Sequence, residues 1–246
     1  LIFAATSQAE AFVSPGSSTG IALGAAAGAQ SFINDAVIPN LHAQLQYKSP
    51  SLLAGVAVDY KSLRPALKVL SAPGATSYIA TTENINSASL EAYTKLTMLH
   101  FILKGEYVRG QNLYDQLMMG GYLAYGSVPN ITYKPLQVNS MWFELMGTGK
   151  KFVPGIFVGY SNNDGANESG TAVASYARGI AAGATSISSL LRVAPRMEWI
   201  SGKFKFSTEL EITSAGYGTS NVTGRVPSEA YTVTNTRLLF VTTYSF

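Results

Sequence analysis

Charged side chains occupy every second position in several C-terminal segments of the chain. In residues 190–200 and 203–212 they alternate with aliphatic and aromatic residues, and Arg237 repeats the pattern further on. In an extended strand, residues two apart share one face. The charged face predicted in this way carries the bases Arg192, Arg196, Lys203, Lys205 and Arg237 and the acids Glu198, Glu209 and Glu211.

These side chains indicate electrostatic chemistry rather than catalysis. Fixed cations on a wet surface raise the local concentration of anions, and Arg and Lys lining a pore set its selectivity. Alternatively, Arg and Glu on neighbouring strands pair with and neutralise one another. Over all predicted strands, which add bases such as Lys61 and Lys104 and acids such as Asp59, Glu106 and Glu144, bases and acids nearly balance. The sequence therefore predicts only a mild preference for anions.

Motifs for covalent or metal chemistry are scarce. The stretch "GSSTG" (16–20) matches the G-x-S-x-G pattern of a nucleophile elbow, with Ser18 as the nucleophile. The surrounding "VSPGSST" instead favours a plain turn. The chain has no cysteine, and His42 has no second ligand at metal spacing. We therefore expect His42 to be an ordinary polar-face residue, and we expect neither a metal nor a cofactor.

Alternation with a period of two recurs along the chain, whereas helical periodicity is hard to find. Residues 52–61, for example, place Val56 and Tyr60 opposite Asp59 and Lys61. We interpret 118–126 as a loop. The chain is then an all-β protein with a single domain, residues 1–246, and eleven strands at 1–12, 20–29, 41–48, 52–61, 89–97, 101–108, 138–146, 152–160, 189–199, 203–213 and 233–246.

Composition favours one kind of β protein over another. Charged residues are 13% of the chain, against about 25% in a typical soluble protein, and no apolar run approaches the ~20 residues of a membrane-spanning helix. These features predict a transmembrane antiparallel up-and-down β-barrel rather than a soluble β-sandwich. The net charge of +3 is too small to indicate a nucleic-acid-binding protein. Aromatic residues near the predicted strand ends are typical of membrane–water interfaces: Tyr47, Tyr60, Tyr107, Trp199, Tyr244 and Phe246.

The lengths of the connections support the barrel. Short connections and long ones alternate along the chain, so all short turns fall on one side of the predicted sheet. Outer-membrane barrels have this asymmetry, with short turns in the periplasm. The C-terminus is therefore expected to be periplasmic. The short connections are 49–51, 98–100, 147–151 and 200–202, and the long ones are 62–88, 109–137, 161–188 and 214–231.

The last residues, "NTRLLFVTTYSF" (235–246), resemble the C-terminal signal of bacterial outer-membrane β-barrel proteins. The matching positions are Phe246, Tyr244, Phe240 and Leu238, with Thr242 a weaker match. In that family the signal is read by the barrel-assembly machinery. The resemblance therefore implies that this machinery is a partner and that the protein lies in the outer membrane, in contact with lipid and lipopolysaccharide.

Three stretches resemble trimeric porins of the DcaP type, in Bacteroidetes-like forms. They are "NLHAQLQYKSPSLLAGVAVDYKSLRP" (40–65), "LKGEYVRGQNLYDQLMMGGY" (103–122) and "LLRVAPRMEWISGKFKFSTELEITSAGYG" (190–218). This resemblance implies a homotrimer of sixteen-stranded channels that pass small hydrophilic solutes by diffusion. Neither an enzymatic activity nor a nucleic-acid partner is implied.

An odd number of strands conflicts with the even number in bacterial single-chain barrels. We therefore expect the chain to be the C-terminal part of a larger barrel, with about five N-terminal strands missing from a total of ~16. Two other hypotheses stay open. One is an outer-membrane barrel enzyme, such as a lipase or protease, that uses Ser18. The other is a soluble β-sandwich binding module.

Overall fold

The computed structural model describes residues 1–6, 38–116, 118–167 and 170–246. Within these residues the protein is all-β, with one short 3-10 turn at Leu113–Gln116 and no α-helix. The strands are β1 (Ile2–Thr6), β2 (Ile38–Lys48), β3 (Leu52–Leu63), β4 (Lys68–Leu70), β5 (Tyr78–Ala80), β6 (Ile85–Thr97), β7 (Phe101–Gln111), β8 (Gly120–Ser127), β9 (Asn130–Gly147), β10 (Phe152–Ala166), β11 (Ala172–Arg178), β12 (Thr185–Ser201), β13 (Phe204–Thr219) and β14 (Tyr231–Tyr244).

Ten of these strands form one up-and-down ladder in the order β1-β2-β3-β6-β7-β9-β10-β12-β13-β14. Every neighbouring pair is antiparallel. Strand β8 pairs with the start of β9 and with β11, and β4 and β5 form a separate hairpin. Within the part of the chain that the structure describes, β1 and β14 each pair on one side only, so the sheet has two edges.

Ten of the eleven predicted segments coincide with the ten ladder strands. The eleventh, 20–29, lies outside the described residues, as do residues 7–12 of the first. Within the described residues the ladder has ten strands, and because 20–29 lies outside them, the odd number of strands stays a prediction. Since β1 and β14 run in opposite directions, closing this ladder into a barrel would require an even number of further strands.

The interpretation of 118–126 as a loop is wrong, because Gly120–Ser127 is strand β8. Glycine in a sequence indicates a turn, which is why a loop was predicted. In the structure, the glycines at 120, 121 and 126 adopt positive φ within the strand. Most ladder strands also extend beyond their predicted ends on the long-loop side. Strand β9 begins at Asn130 rather than 138, and β13 ends at Thr219 rather than 213.

The two faces of the ladder differ sharply. The apolar face presents large side chains to the surroundings: Phe143 is 54% exposed, Leu238 is 70% exposed and Phe240 is 67% exposed. The polar face carries the predicted charges, because alternation places Lys104, Glu144 and Arg196 opposite those apolar residues. The apolar face of this sheet is therefore exposed rather than buried.

The buried core lies at the long-loop end and on the polar face. We call the 3-10 turn Leu113–Gln116 together with β8 and β11 the cap. Leu113 and Met119 pack against Val108 and Val138, which alternation places on the polar face of β7 and β9. A second cluster joins the cap to β3 and β6 through Leu63, Ile85, Tyr122, Ala124, Ile131 and Tyr133. The cap thus covers the long-loop end of the polar face.

Candidate pore-lining face

The predicted site residues share the polar face because the register of the ladder brings their strands together. Lys104 is the cross-strand partner of Glu144, Arg196 of Glu209 and Arg237 of Glu211. Lys203 differs from the rest, because it lies in the tight turn between β12 and β13, where its Nζ is 6.0 Å from the centre of the Tyr244 ring. The remaining predicted members lie in strands: Asp59, Lys61, Glu106, Arg192, Glu198, Lys205 and Glu211.

Glu144 is the centre of the first charged group. Its buried carboxylate accepts a hydrogen bond from Lys104 Nζ at 2.7 Å and forms an ion pair with Arg196 Nη2. Arg196 reaches it across β10, where Gly155 has no side chain to obstruct the guanidinium. A Cβ at Gly155 would lie 2.9 Å from Arg196 Nε. Glu144 is one of the acids of the predicted strands but is not among the predicted site residues.

Glu211 repeats this arrangement on the last three strands. Arg237 Nη2 donates to its Oε2 at 2.9 Å, and Arg192 Nη1 lies 3.5 Å from the same oxygen. The Glu211 side chain is 12% exposed, whereas those of Arg192 and Arg237 are 49% and 56% exposed. Arg192 Nε also donates to Thr213 Oγ1 at 3.1 Å.

Each of these two carboxylates is therefore shared by two cations from different strands. One negative charge cannot neutralise two positive ones, so the group around Glu211 keeps a net charge of about +1. Beside Glu144 a second acid, Glu209, is the cross-strand partner of Arg196 and offsets the extra cation. The alternative of mutual neutralisation of Arg and Glu is thus incomplete beside Glu211, whereas Lys205 and Glu198 form a single pair, with Nζ 3.6 Å from Oε1.

His42, the polar-face histidine, lies beside a carboxylate. His42 Nδ1 lies 2.8 Å from Asp59 Oδ1, and Ser89 Oγ donates to Asp59 Oδ2 at 3.4 Å. The second ring nitrogen, Nε2, lies 3.5 Å from Gln44 Oε1. Ser18 falls outside the described residues. In the described ranges, no group of three or more His, Cys, Asp or Glu residues could hold a metal ion.

Aromatic side chains on the polar face are the residues that sequence analysis missed. Tyr93 lies across Gly55, where any Cβ would collide with the phenol ring. Trp142 stacks on Phe157 with 5.8 Å between ring centres and 26° between ring planes. A signal was present in the sequence, because Tyr93 and Trp142 each stand two residues from a charged polar-face residue, Glu91 and Glu144 respectively.

Titrating groups near the cap respond to burial. Burial raises the pKa of the Tyr176 phenol to about 12 and raises that of Tyr133 further still. In the loop before β14, hydrogen bonds from Ser188 and Ser189 lower the pKa of Glu229. The hydroxyl of Ser189 donates to Glu229 Oε1 at 2.7 Å, which ties this loop to β12.

The C-terminal residues that resemble an assembly signal lie along the edge strand. Leu238 and Phe240 point to the apolar face, and Phe246 is fully exposed. Tyr244 packs on Phe204 with 4.8 Å between ring centres, so this strand is anchored to β13 by aromatic contact at the short-turn end.

Comparisons of the chain with protein-family models, with curated proteins and with solved structures return no match. Among the described residues, no helix is long and apolar enough to cross a membrane. The structure thus defines a class, an all-β protein built on a large antiparallel meander.

Proposed function

We propose that this chain forms the wall of a transmembrane β-barrel in a bacterial outer membrane. The barrel acts as a porin through which small hydrophilic solutes diffuse, with a mild preference for anions. The observation that carries the proposal is the reversed polarity of the sheet. Its apolar face is exposed, whereas its charged face is partly covered by the cap.

Such an apolar face is suited to contact with lipid. A contiguous exposed apolar area of this extent would cause aggregation in water. On β10, Phe152 and Tyr160 mark the two ends of the band. The eight residue steps between them, at ~3.3 Å each, span about 26 Å along the strand. With a strand tilt of ~40° this is about 20 Å, close to the ~25 Å apolar band of outer-membrane barrels.

The polar face suits a water-filled path. Its charged side chains pair with one another only in part, and the two arginines that share Glu211 leave a surplus of positive charge facing the path. The cap narrows the path at the long-loop end, because its buried core stands on the same face. The assembly follows from the same proposal: a sixteen-stranded barrel in a homotrimer, inserted by the barrel-assembly machinery with a periplasmic C-terminus.

The test is conductance of the purified protein in planar lipid bilayers. We expect discrete, ion-permeable steps. The absence of steps from protein that is folded in detergent would overturn the proposal.

The source of selectivity is tested with Arg192→Gln and Arg196→Gln together. The reversal potential in a salt gradient should move toward cation preference, because two polar-face charges are lost. Arg109→Gln is the matched control, because alternation places Arg109 on the opposite face of β7. Equal reversal potentials in the double variant and the control would show that Arg192 and Arg196 do not line the path.

A further inference from the structure

A cleft on the polar face lies beside the charged groups and has a different character. Its volume is about 330 Å³. It extends across β2, β3, β6, β7 and β9, below the cap. Its lining combines aromatic rings with amides, carboxylates and amines: Gln44, Gln46, Glu91, Tyr93, Lys95, Lys104, Glu106 and Trp142.

Tyr93 is held flat against the sheet. Its ring lies over Gly55, and its hydroxyl accepts hydrogen bonds from Gln44 Nε2 and, at 2.8 Å, from Gln46 Nε2. With both acceptor sites used in this way, the hydroxyl proton is available as a donor. The face of the ring turned away from Gly55 is presented to the cleft.

Trp142 forms the second aromatic surface. It lies two strands away, since Tyr93 pairs with Glu106 and Glu106 pairs with Trp142 in the register of the ladder. Neighbouring strands are ~4.8 Å apart, so the Cα atoms of Tyr93 and Trp142 are about 10 Å apart. The Tyr93 ring leans one strand further, over Gly55 of β3, so the two rings are about 15 Å apart. Phe157 stacks on the indole from the β10 side, away from the cleft, and fixes its orientation.

We propose that this cleft binds a neutral oligosaccharide. A pyranose ring has an apolar C–H face that stacks on an aromatic ring, whose face carries partial negative charge. Its hydroxyl groups need donors and acceptors around that ring, and Gln44, Lys95 and Glu106 supply both. Two aromatic surfaces about 15 Å apart suit a linear chain of at least three sugar units, at about 5 Å for each unit.

The charges of the lining favour a neutral ligand over an ion. Two acids, Glu91 and Glu106, offset two amines, Lys95 and Lys104. Lys104 is in addition held by Glu144 at 2.7 Å. The surplus positive charge of the face lies outside the cleft, beside Glu211. This inference deepens the proposed channel function and rests on it only in that a solute in transit passes the cleft.

The experiment uses the emission of Trp142 in detergent-solubilised protein. The chain has two tryptophans, and the second, Trp199, lies on the apolar face stacked on Phe206. Trp199→Phe therefore leaves Trp142 as the single reporter. Glucose, maltose, maltotriose and maltohexaose are titrated, together with the cellobiose series, and adenosine is the aromatic comparison.

We expect saturable emission changes, with the trisaccharide half-saturating at about five- to tenfold lower concentration than the monosaccharide, because it contacts both rings. Tyr93→Ala should raise the trisaccharide value by about the same factor. Tyr107→Ala, which removes a tyrosine from the apolar face, should leave it unchanged.

Unchanged emission with every sugar overturns the proposal, and so does a response to adenosine alone. Equal half-saturation in the Tyr93→Ala and Tyr107→Ala proteins also overturns it. Binding is measured without a membrane, so its failure is distinct from failure of the channel. Conductance without sugar binding rejects the cleft alone, and binding without conductance rejects the porin alone.

Discussion

Glu144 on β9 and Arg196 on β12 form an ion pair across the full width of the strand between them. The contact depends on Gly155 of β10, which leaves room for the guanidinium. Lys104 approaches the same carboxylate from the opposite side, at 2.7 Å. A single acidic residue on β9 therefore links β7 to β12 across β10 in the middle of the polar face.

Glu144→Gln should change both selectivity and stability. The substitution leaves Lys104 and Arg196 without their shared carboxylate, so anion preference should rise and the free energy of unfolding should fall by about 1–3 kcal/mol. Reversal potentials and urea unfolding of the refolded protein measure the two effects. Glu211→Gln is the matched variant. Its cations are about half exposed, so it should shift selectivity equally and stability less. A Glu144→Gln protein that matches the parent in both measurements would contradict this account.

Phe143→Arg separates a lipid-facing surface from a water-facing one. Phe143 is 54% exposed, so in water an arginine there would cost little. In a bilayer, arginine near the midplane of a barrel costs about 2–4 kcal/mol. Unfolding from lipid vesicles measures the cost, with Phe143→Ala as the reference because the ring also packs over Gly105.

Thr148→Arg, in the turn after β9, is the control for that measurement, with Thr148→Ala as its reference because the Thr148 hydroxyl donates to Leu99 O at 2.9 Å. The two Thr148 variants should be equally stable, because a turn residue reaches water. If Phe143→Arg were no less stable than Phe143→Ala in vesicles, the apolar face would not be in contact with lipid.

Leu113→Ala should loosen the cap. The side chain is fully buried against Val108 and Val138, and truncation of such a leucine costs about 2–5 kcal/mol. Because the cap narrows the proposed path, single-channel conductance should rise and larger polyethylene glycols should enter. Leu67→Ala, at an exposed position in the connection before β4, should alter neither. Conductance equal to that of the parent would show that the cap does not restrict the path.

Acid should release the loop before β14. Hydrogen bonds from Ser188 and Ser189 lower the pKa of Glu229 from the ordinary value of 4.5. A depressed folded-state pKa stabilises above the unfolded-state pKa, and this contribution is lost as the pH falls through the folded-state pKa. The amide of Ala230, which donates to Tyr217 O at 2.7 Å, reports the release by hydrogen exchange corrected for intrinsic rates.

Substituting both serines by alanine should abolish that pH dependence at Ala230. Ser207→Ala, on the polar face of β13, should preserve it. Protection of Ala230 that stays constant from neutral pH to below the pKa of Glu229 in the parent protein would rule out this carboxylate as the attachment of the loop.

The ladder could be predicted from the sequence because each of its strands carries its own evidence. Alternation in 52–61 or 203–212 is a local pattern, and it identifies both the strand and its two faces. The cap could not be predicted in this way. Its strand Gly120–Ser127 is rich in glycine, and its partners β9 and β11 are chosen by packing that no local pattern encodes.

The pairing of the charges depends on register rather than on pattern. Alternation correctly placed Arg196 and Glu144 on one face, but their contact spans β10 and requires Gly155 at one position of that strand. The same holds for Tyr93 over Gly55. Whether a glycine lies opposite a large side chain is set by the offsets that successive turns impose, and these are not visible in any one segment.

The position of the buried core has a consequence for how the two ends of the molecule unfold. At the long-loop end, Leu113, Leu123 and Leu136 are buried within the protein itself. This end therefore needs neither lipid nor detergent to stay folded. Toward the short-turn end, the apolar face has no protein partner among the described residues, and in the proposed barrel it would be covered by lipid or detergent. Dilution of detergent should therefore act on one end of the molecule, whereas urea acts on both ends. We expect the strands to unfold in a different order under the two conditions.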